Sequence, residues 1–248
     1  SVREGLTAGR KKARHRGRSI VKGGPGVANR VVSLLSKIMA CAVDWGMRAD
    51  NPALRIKKYP EHRKDRFLDT DEIQKLVAAL KYSSEQRLES ADIVACFHLL
   101  LLTGLRLREI RDLEWANVDL TRKVIRLTES KTGARTVPLN SQAIAILKTH
   151  SRISFGVYVI RSAKGEGRPS LGKPWERIRK LANIDGTANI HALRHTFASW
   201  AVMGGLSLAQ TGALLGHKSP QTTLRYADHL TESVREYSQK TADIIAAG

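Results

Sequence analysis

Apolar residues recur at helical spacing along much of this chain. Val31, Leu34, Leu35, Ile38, Met39, Ala42 and Val43 share one face of a helix predicted over Val27–Gly46, with Gly46 as its stop. Asn51-Pro52 then interrupts regular structure, and Lys57–Arg66 is charged, contains Pro60 and lacks an apolar face, as a linker between domains would. A boundary is expected near residue 65. Beyond it Asp69 can cap a helix from which Glu72 reaches back to the cap, which predicts a helix over Asp69–Leu80. Ala91–Thr103 is apolar on nearly every face, hence a buried helix, and Gly104 ends it.

Val124–Leu127 and Thr136–Leu139 flank Thr132-Gly133 and predict a hairpin in which Pro138, with no N–H to donate, lies at an edge. Val157–Ile160 is a further strand candidate. From Leu171 onward the pattern is helical, broken at Gly186, Gly204-Gly205 and Gly216. The predicted fold class is mainly α with a small antiparallel β-sheet, an α+β domain over 66–248, preceded by a smaller all-α domain and linker over 1–65. No internal repeat is visible.

Composition narrows the function. With 248 residues and 42% hydrophobic content the chain can bury a real core, which excludes collagen-like, disordered and disulfide-scaffold classes. A formal charge of +19 exceeds what solubility needs and points to a polyanion, with nucleic acid the leading candidate. Residues 1–66 hold 17 basic and 5 acidic residues, so the N-terminal quarter carries most of the excess. The basic run Arg10 to Arg18 reads equally as part of that footprint or as a solvated tail. Cys41 and Cys96 lie in apolar helical stretches and are expected to be reduced, buried and structural.

No disulfide, cofactor or metal site is indicated. The longest strongly apolar stretch noted, Ile93–Leu102, is too short for a bilayer, which needs ~20 residues, and the basic N-terminus lacks a secretion signal's apolar stretch. A cytoplasmic protein without membrane association is expected. The first residue is Ser1 rather than Met, so an earlier segment is expected to be missing.

Among candidate chemical groups, His191-Ala-Leu-Arg194-His195 is the densest cluster. On a helix His191 stands beside Arg194 or His195. No Cys, Asp or Glu accompanies the pair at ligand spacing, so a metal fits poorly. A phosphate fits better, because a guanidinium fork holds two oxygens while an imidazole donates a bond or moves a proton.

Five fragments then occur in order: Thr103-Gly-Leu-Arg106-Leu-Arg-Glu109, Lys131 in the hairpin, His191-Ala-Leu-Arg194, Leu215-Gly-His217, and Thr222-Thr-Leu-Arg-Tyr226, with His217 nine residues before Tyr226. Together they resemble the motifs of the tyrosine recombinase (phage integrase) family, over about 66–248. The resemblance implies a catalytic domain there and a basic helical core-DNA-binding domain, incomplete here, over 1–65. It implies that Arg106 and Arg194 clamp the scissile phosphate, that His191 and His217 assist by hydrogen bonding and proton transfer, that Lys131 protonates the departing 5′ oxygen, and that Tyr226 is the nucleophile. It further implies double-stranded DNA as partner, a homo-tetramer when synapsed, accessory DNA-bending or directionality proteins, and a nucleoid-associated bacterial location. Arg108 departs from the family's usual small residue, and the hairpin after Lys131 is short.

The chemistry suits those residue types. A phenol with a pKa near ~10 needs a base or cationic surroundings to attack at neutral pH, and His191 is the expected base. Two arginines answer the negative charge that accumulates on the phosphate's nonbridging oxygens. His195, given no phosphate by the motif, is expected to be a packing or supporting residue. Ser207–Tyr226 also resembles a helix-turn-helix, so a DNA-binding regulator is a competing function, and a type IB topoisomerase-like relaxing enzyme is another. Val234, Tyr237, Ile244 and Ile245 suggest a final helix that docks either on a neighbouring subunit or on its own domain.

Overall fold

The computed structural model describes residues 23–61, 66–128, 133–151, 156–162 and 168–229. The basic run Arg10 to Arg18, Lys131 and the C-terminal apolar positions Val234, Tyr237, Ile244 and Ile245 lie outside them. The backbone divides into two units, residues 1–64 and 65–248.

In the first unit, helix α1 (Pro25–Asp44) opens with Pro25, whose missing N–H costs nothing in a first turn. The Asn29 side chain donates to the Tyr59 carbonyl at 2.9 Å and accepts from the Tyr59 N–H at 2.8 Å. Asn51 donates to the Ser36 carbonyl at 2.8 Å. The returning segment thus buries Ala28, Asn29 and Val32. The apolar stripe picked out by periodicity lies elsewhere: Leu34 is 62% and Ile38 52% exposed, because one helix and one extended segment cannot enclose both faces. By length and composition alone α1, in which an 18-residue window has mean hydropathy 1.4, is long and apolar enough to cross a membrane, although it carries Arg30 and Lys37.

The second unit is mainly helical with a small sheet. Helix α2 (Thr70–Glu85) starts in the expected capping box, Asp69 accepting from the Glu72 N–H and Glu72 reaching back to the Asp69 N–H. It outruns its predicted end at Leu80 by more than a turn, and Ser83 there is buried. Helix α3 (Ala91–Thr103) is buried along most of its length and stops at Gly104, whose φ of 61° is left-handed. The short α4 (Leu107–Arg111) follows, then a 3₁₀ turn (Trp115–Asn117).

The sheet has three antiparallel strands, β1 (Val118–Asp119), β2 (Val124–Leu127) and β3 (Arg135–Pro138), in the order β1-β2-β3. Ile125 pairs with Val137 on the core side, while Pro138 ends edge strand β3, where no donor is required. Strand β1 was not anticipated, since two residues carry no periodicity. Val157–Ile160 is not a strand: Tyr158 makes one bridge to Glu114, and Val159 and Ile160 plug into the core.

Among the described residues the unit continues with helices α5 (Ser141–Ser151), α6 (Gly172–Leu181), α7 (Ile190–Met203) and α8 (Leu208–Leu215), followed by α9 (Pro220–Thr223) and a 3₁₀ turn (Leu224–His229). Buried Phe97 of α3 packs on Trp175 of α6 with ring centroids 5.4 Å apart. Cys96 is fully buried, and burial pushes its thiol up to about 12, so it acts as a core side chain. A second cluster, Ala198, Val202, Leu215 and Tyr226, joins α7 to α8 and the last turn. The helix-turn-helix resemblance of Ser207–Tyr226 does not hold: the element after α8 is four residues long, and Thr223 and Tyr226 are buried rather than presented as a recognition helix.

Candidate active site

The C-terminus of α8 is the organising feature. The last carbonyls of a helix have no intrahelical partner and carry its negative end charge. Here three consecutive ones each accept from a different arginine: Leu214 from Arg135 at 2.8 Å, Leu215 from Arg194 at 2.8 Å and Gly216 from Arg106 at 3.4 Å. These arginines come from β3, α7 and the N-terminal edge of α4, so a helix end gathers cations that would otherwise repel one another.

Glu109 completes the neutralisation. Its carboxylate accepts from the Arg106 N–H at 2.8 Å, from Arg106 Nη1 at 2.8 Å and from Arg135 Nη2 at 3.0 Å. Arg194, 4% exposed, also donates to the Gly104 carbonyl at 2.7 Å. Burial, then the Arg106 charge, pushes its guanidinium down to about 10, still cationic at neutral pH. Burial likewise lowers Arg135. The Thr-Gly-Leu sequence before Arg106 has a physical reason: a Cβ on Gly104 would come within 2.3 Å of the Phe197 ring, and its positive φ already disfavours one.

His217 follows Gly216, the left-handed cap of α8. Its Nε2 lies 3.1 Å from Arg194 Nη2 and its Nδ1 2.8 Å from Thr223 Oγ1. An arginine nitrogen can only donate, so Nε2 accepts, and the ring carries its proton on Nδ1, which donates to Thr223. Loss of water and then Arg194, Arg106, Arg225 and Arg135 push His217 down to about 4. His191, exposed on the first turn of α7, is lowered by the same kinds of cause, partial desolvation first and then Arg194, Arg225 and Arg106.

Tyr226 is 3% exposed, and its hydroxyl lies 2.8 Å from Nδ1 of His195. His195 in turn packs edge-on against His191, ring centroids 4.7 Å apart. Arg106, Arg194, His191, His217 and Tyr226 are therefore brought into one neighbourhood, linked through α7 and the end of α8. Lys131 is outside the described residues. Sequence reasoning passed over three participants. The motif gives His195 no phosphate, although its place beside Arg194 and one turn from His191 marks it. Glu109 stood in a motif without a role, and Arg135 carried no signal in a basic chain. Among the described residues no group of His, Cys, Asp and Glu could hold a metal ion.

The chain matches the model of the phage integrase family over residues 66–233. It is 30% identical to the integrase of Salmonella phage P22 over 219 residues, 80% of this chain and 54% of that protein, so it spans about half the length of that relative. It is also 30% identical to a tyrosine recombinase of Thermosipho africanus over 202 residues, covering 80% of this chain and 70% of that one. In fold it resembles a lambda integrase crystallised as a tetramer bound to a Holliday junction, with TM-score 0.65 and 22% identity over 80% of this chain and 60% of that one. By the family match over residues 66–233, this chain belongs to the phage integrase family of tyrosine recombinases.

Proposed function

We propose that this chain is a site-specific DNA recombinase that cleaves and rejoins strands through a 3′-phosphotyrosyl bond to Tyr226. The observation that carries the reading is the gathering of two motif arginines, Arg106 and Arg194, with His217 at the end of α8, and of Tyr226 beside Arg194 in the same cluster. In it Arg106 and Arg194 clamp the scissile phosphate and offset the charge that builds on its nonbridging oxygens; preorganised donors of this kind contribute roughly 10²–10³ each in rate. His217 and His191 bond to the phosphate and handle protons, and Lys131, on the β2–β3 connection, protonates the leaving 5′ oxygen. Because the tyrosyl ester retains the energy of the bond it replaces, a 5′ hydroxyl from a second strand can reverse the step without ATP.

Residues 66–248 would then be the catalytic domain and 1–65 a basic DNA-binding domain with linker, the two gripping duplex DNA. The assembly on synapsed DNA would be a homo-tetramer, and the biological task integration or excision of a phage or other mobile element inside the bacterial cytoplasm. The test is a pool of nicked duplexes of randomised sequence from which the 5′-hydroxyl fragment diffuses away. The wild type is expected to accumulate a denaturation-resistant protein–DNA adduct, and Tyr226→Phe none. An adduct that persists in Tyr226→Phe would place the nucleophile elsewhere, and no adduct from any duplex would overturn the reading.

A further inference from the structure

His195 meets the hydroxyl of the proposed nucleophile, yet the functional reading above assigns it no part. We propose that His195 is a catalytic residue, the base that takes the Tyr226 proton at Nδ1 as Oη attacks the phosphate. The proposal rests on the reading of Tyr226 as nucleophile.

The geometry carries it. The Oη–Nδ1 distance of 2.8 Å is a formed hydrogen bond. His195 is 6% exposed and sits on a rigid helix beside Arg194, so the ring is held in place by its helix and surroundings rather than by a mobile loop. His191, the base expected from sequence, stands one turn earlier at the exposed end of the row Tyr226–His195–His191, whose successive centroids are 5.9 and 4.7 Å apart. In the direction proposed, Oη–H donates to an unprotonated Nδ1, and the ring carries its own proton on Nε2.

In the step, the Oη–phosphorus bond forms and the bond from phosphorus to the 5′ oxygen breaks. The phenol proton moves to Nδ1, leaving an imidazolium, and the departing oxygen takes a proton from an ammonium, the part given to Lys131. On resealing, the 5′ hydroxyl attacks and returns its proton to that amine, while Oη leaves and recovers the proton from His195. The ionisable groups next to the pair are His191, whose ring meets that of His195, and Arg194, which interacts electrostatically with Tyr226; around those two lie Arg225, Arg106, Glu109, Arg135 and His217.

The test uses the 248-residue chain and the duplexes recovered from the randomised pool. His195→Gln keeps an oxygen that can accept from the phenol but cannot take its proton. It is expected to slow adduct formation about 10²-fold or more at neutral pH, with the rate then climbing as pH approaches the ionisation of a free phenol near ~10. His191→Gln, which removes a proposed phosphate contact, is expected to slow adduct formation without that alkaline recovery. Without DNA, the ¹³Cζ resonance of Tyr226, assigned through Tyr226→Phe, should shift as a histidine titrates, and that shift should vanish in His195→Gln.

A His195→Gln rate and pH profile matching wild type, or a faster rate, would mean that the contact only stores the hydroxyl and would overturn the proposal. A tyrosine resonance indifferent to His195→Gln would do the same, even if the variant lost activity through misfolding. If wild type forms adducts and His195→Gln is unaffected, this inference alone falls. If no duplex yields an adduct, the functional reading falls and takes the inference with it.

Discussion

At the scale of single residues, His217 shows how burial among cations sets a protonation state. Its pKa is pushed down to about 4 in the folded chain, against roughly 6.5 for a free histidine. Below about 6.5 the unfolded chain therefore binds a proton that the folded chain refuses. The corresponding stability is fully present above that pH and is lost as pH falls towards about 4. Urea unfolding is expected to show declining stability over that window, and His217→Gln to flatten the decline. A DNA phosphate beside Nε2 acts in the opposite direction, raising the pKa so that binding takes up a proton. DNA affinity measured by anisotropy should accordingly rise as pH falls through the same window, and lose that dependence in His217→Gln. Gly104 is a second case: alanine there must adopt a left-handed φ and enter the Phe197 ring. A cost of about 2 kcal/mol or more is expected, visible as a lowered melting temperature. His195 was legible in the sequence as a neighbour of Arg194, but its bond to a side chain 31 positions away was not.

At the scale of elements, the capping box of α2 and the glycine stop of α3 follow from short-range rules and were readable directly. Asp69→Ala removes the acceptor for the Glu72 N–H and should cost about 1 kcal/mol in chemical denaturation. The end of α2 lies beyond the predicted one because the helix continues past its apolar repeat, where the buried residue is the polar Ser83 and no periodicity marks it. Strand β3 starts at Arg135, one residue before the apolar alternation, since Arg135 is anchored to Leu214 and Glu109 as well as to its β2 partner. That anchor ties the hairpin to the arginine cluster. Arg135→Met keeps the stem but releases the Leu214 carbonyl and one bond to Glu109. It is expected to lower the adduct-forming rate by about tenfold or more through misplacement of Arg106, with expression and melting behaviour closer to wild type than in Gly104→Ala.

At the scale of the whole molecule, a charge of +19 predicts DNA affinity that falls steeply with salt, by about 0.9 in log–log slope for each phosphate neutralised. Titrating affinity against sodium chloride counts those contacts. A slope near zero would mean that the basic surface does not meet the backbone. The exposed apolar stripe of α1 shows the limit of periodicity: spacing tells which residues share a face, not whether anything covers it. By itself the sequence determined the helical class, the hairpin, the capped helix starts and the set of side chains proposed to bind phosphate, because these rest on local spacing and on chemistry that few residue types can perform. Only the tertiary structure decided that three arginines converge on one helix end, that Glu109 balances two of them, and that Tyr226 faces His195. Those pairings join residues up to 110 positions apart, and nothing in local propensity specifies which distant carbonyl, carboxylate or imidazole a buried group will meet.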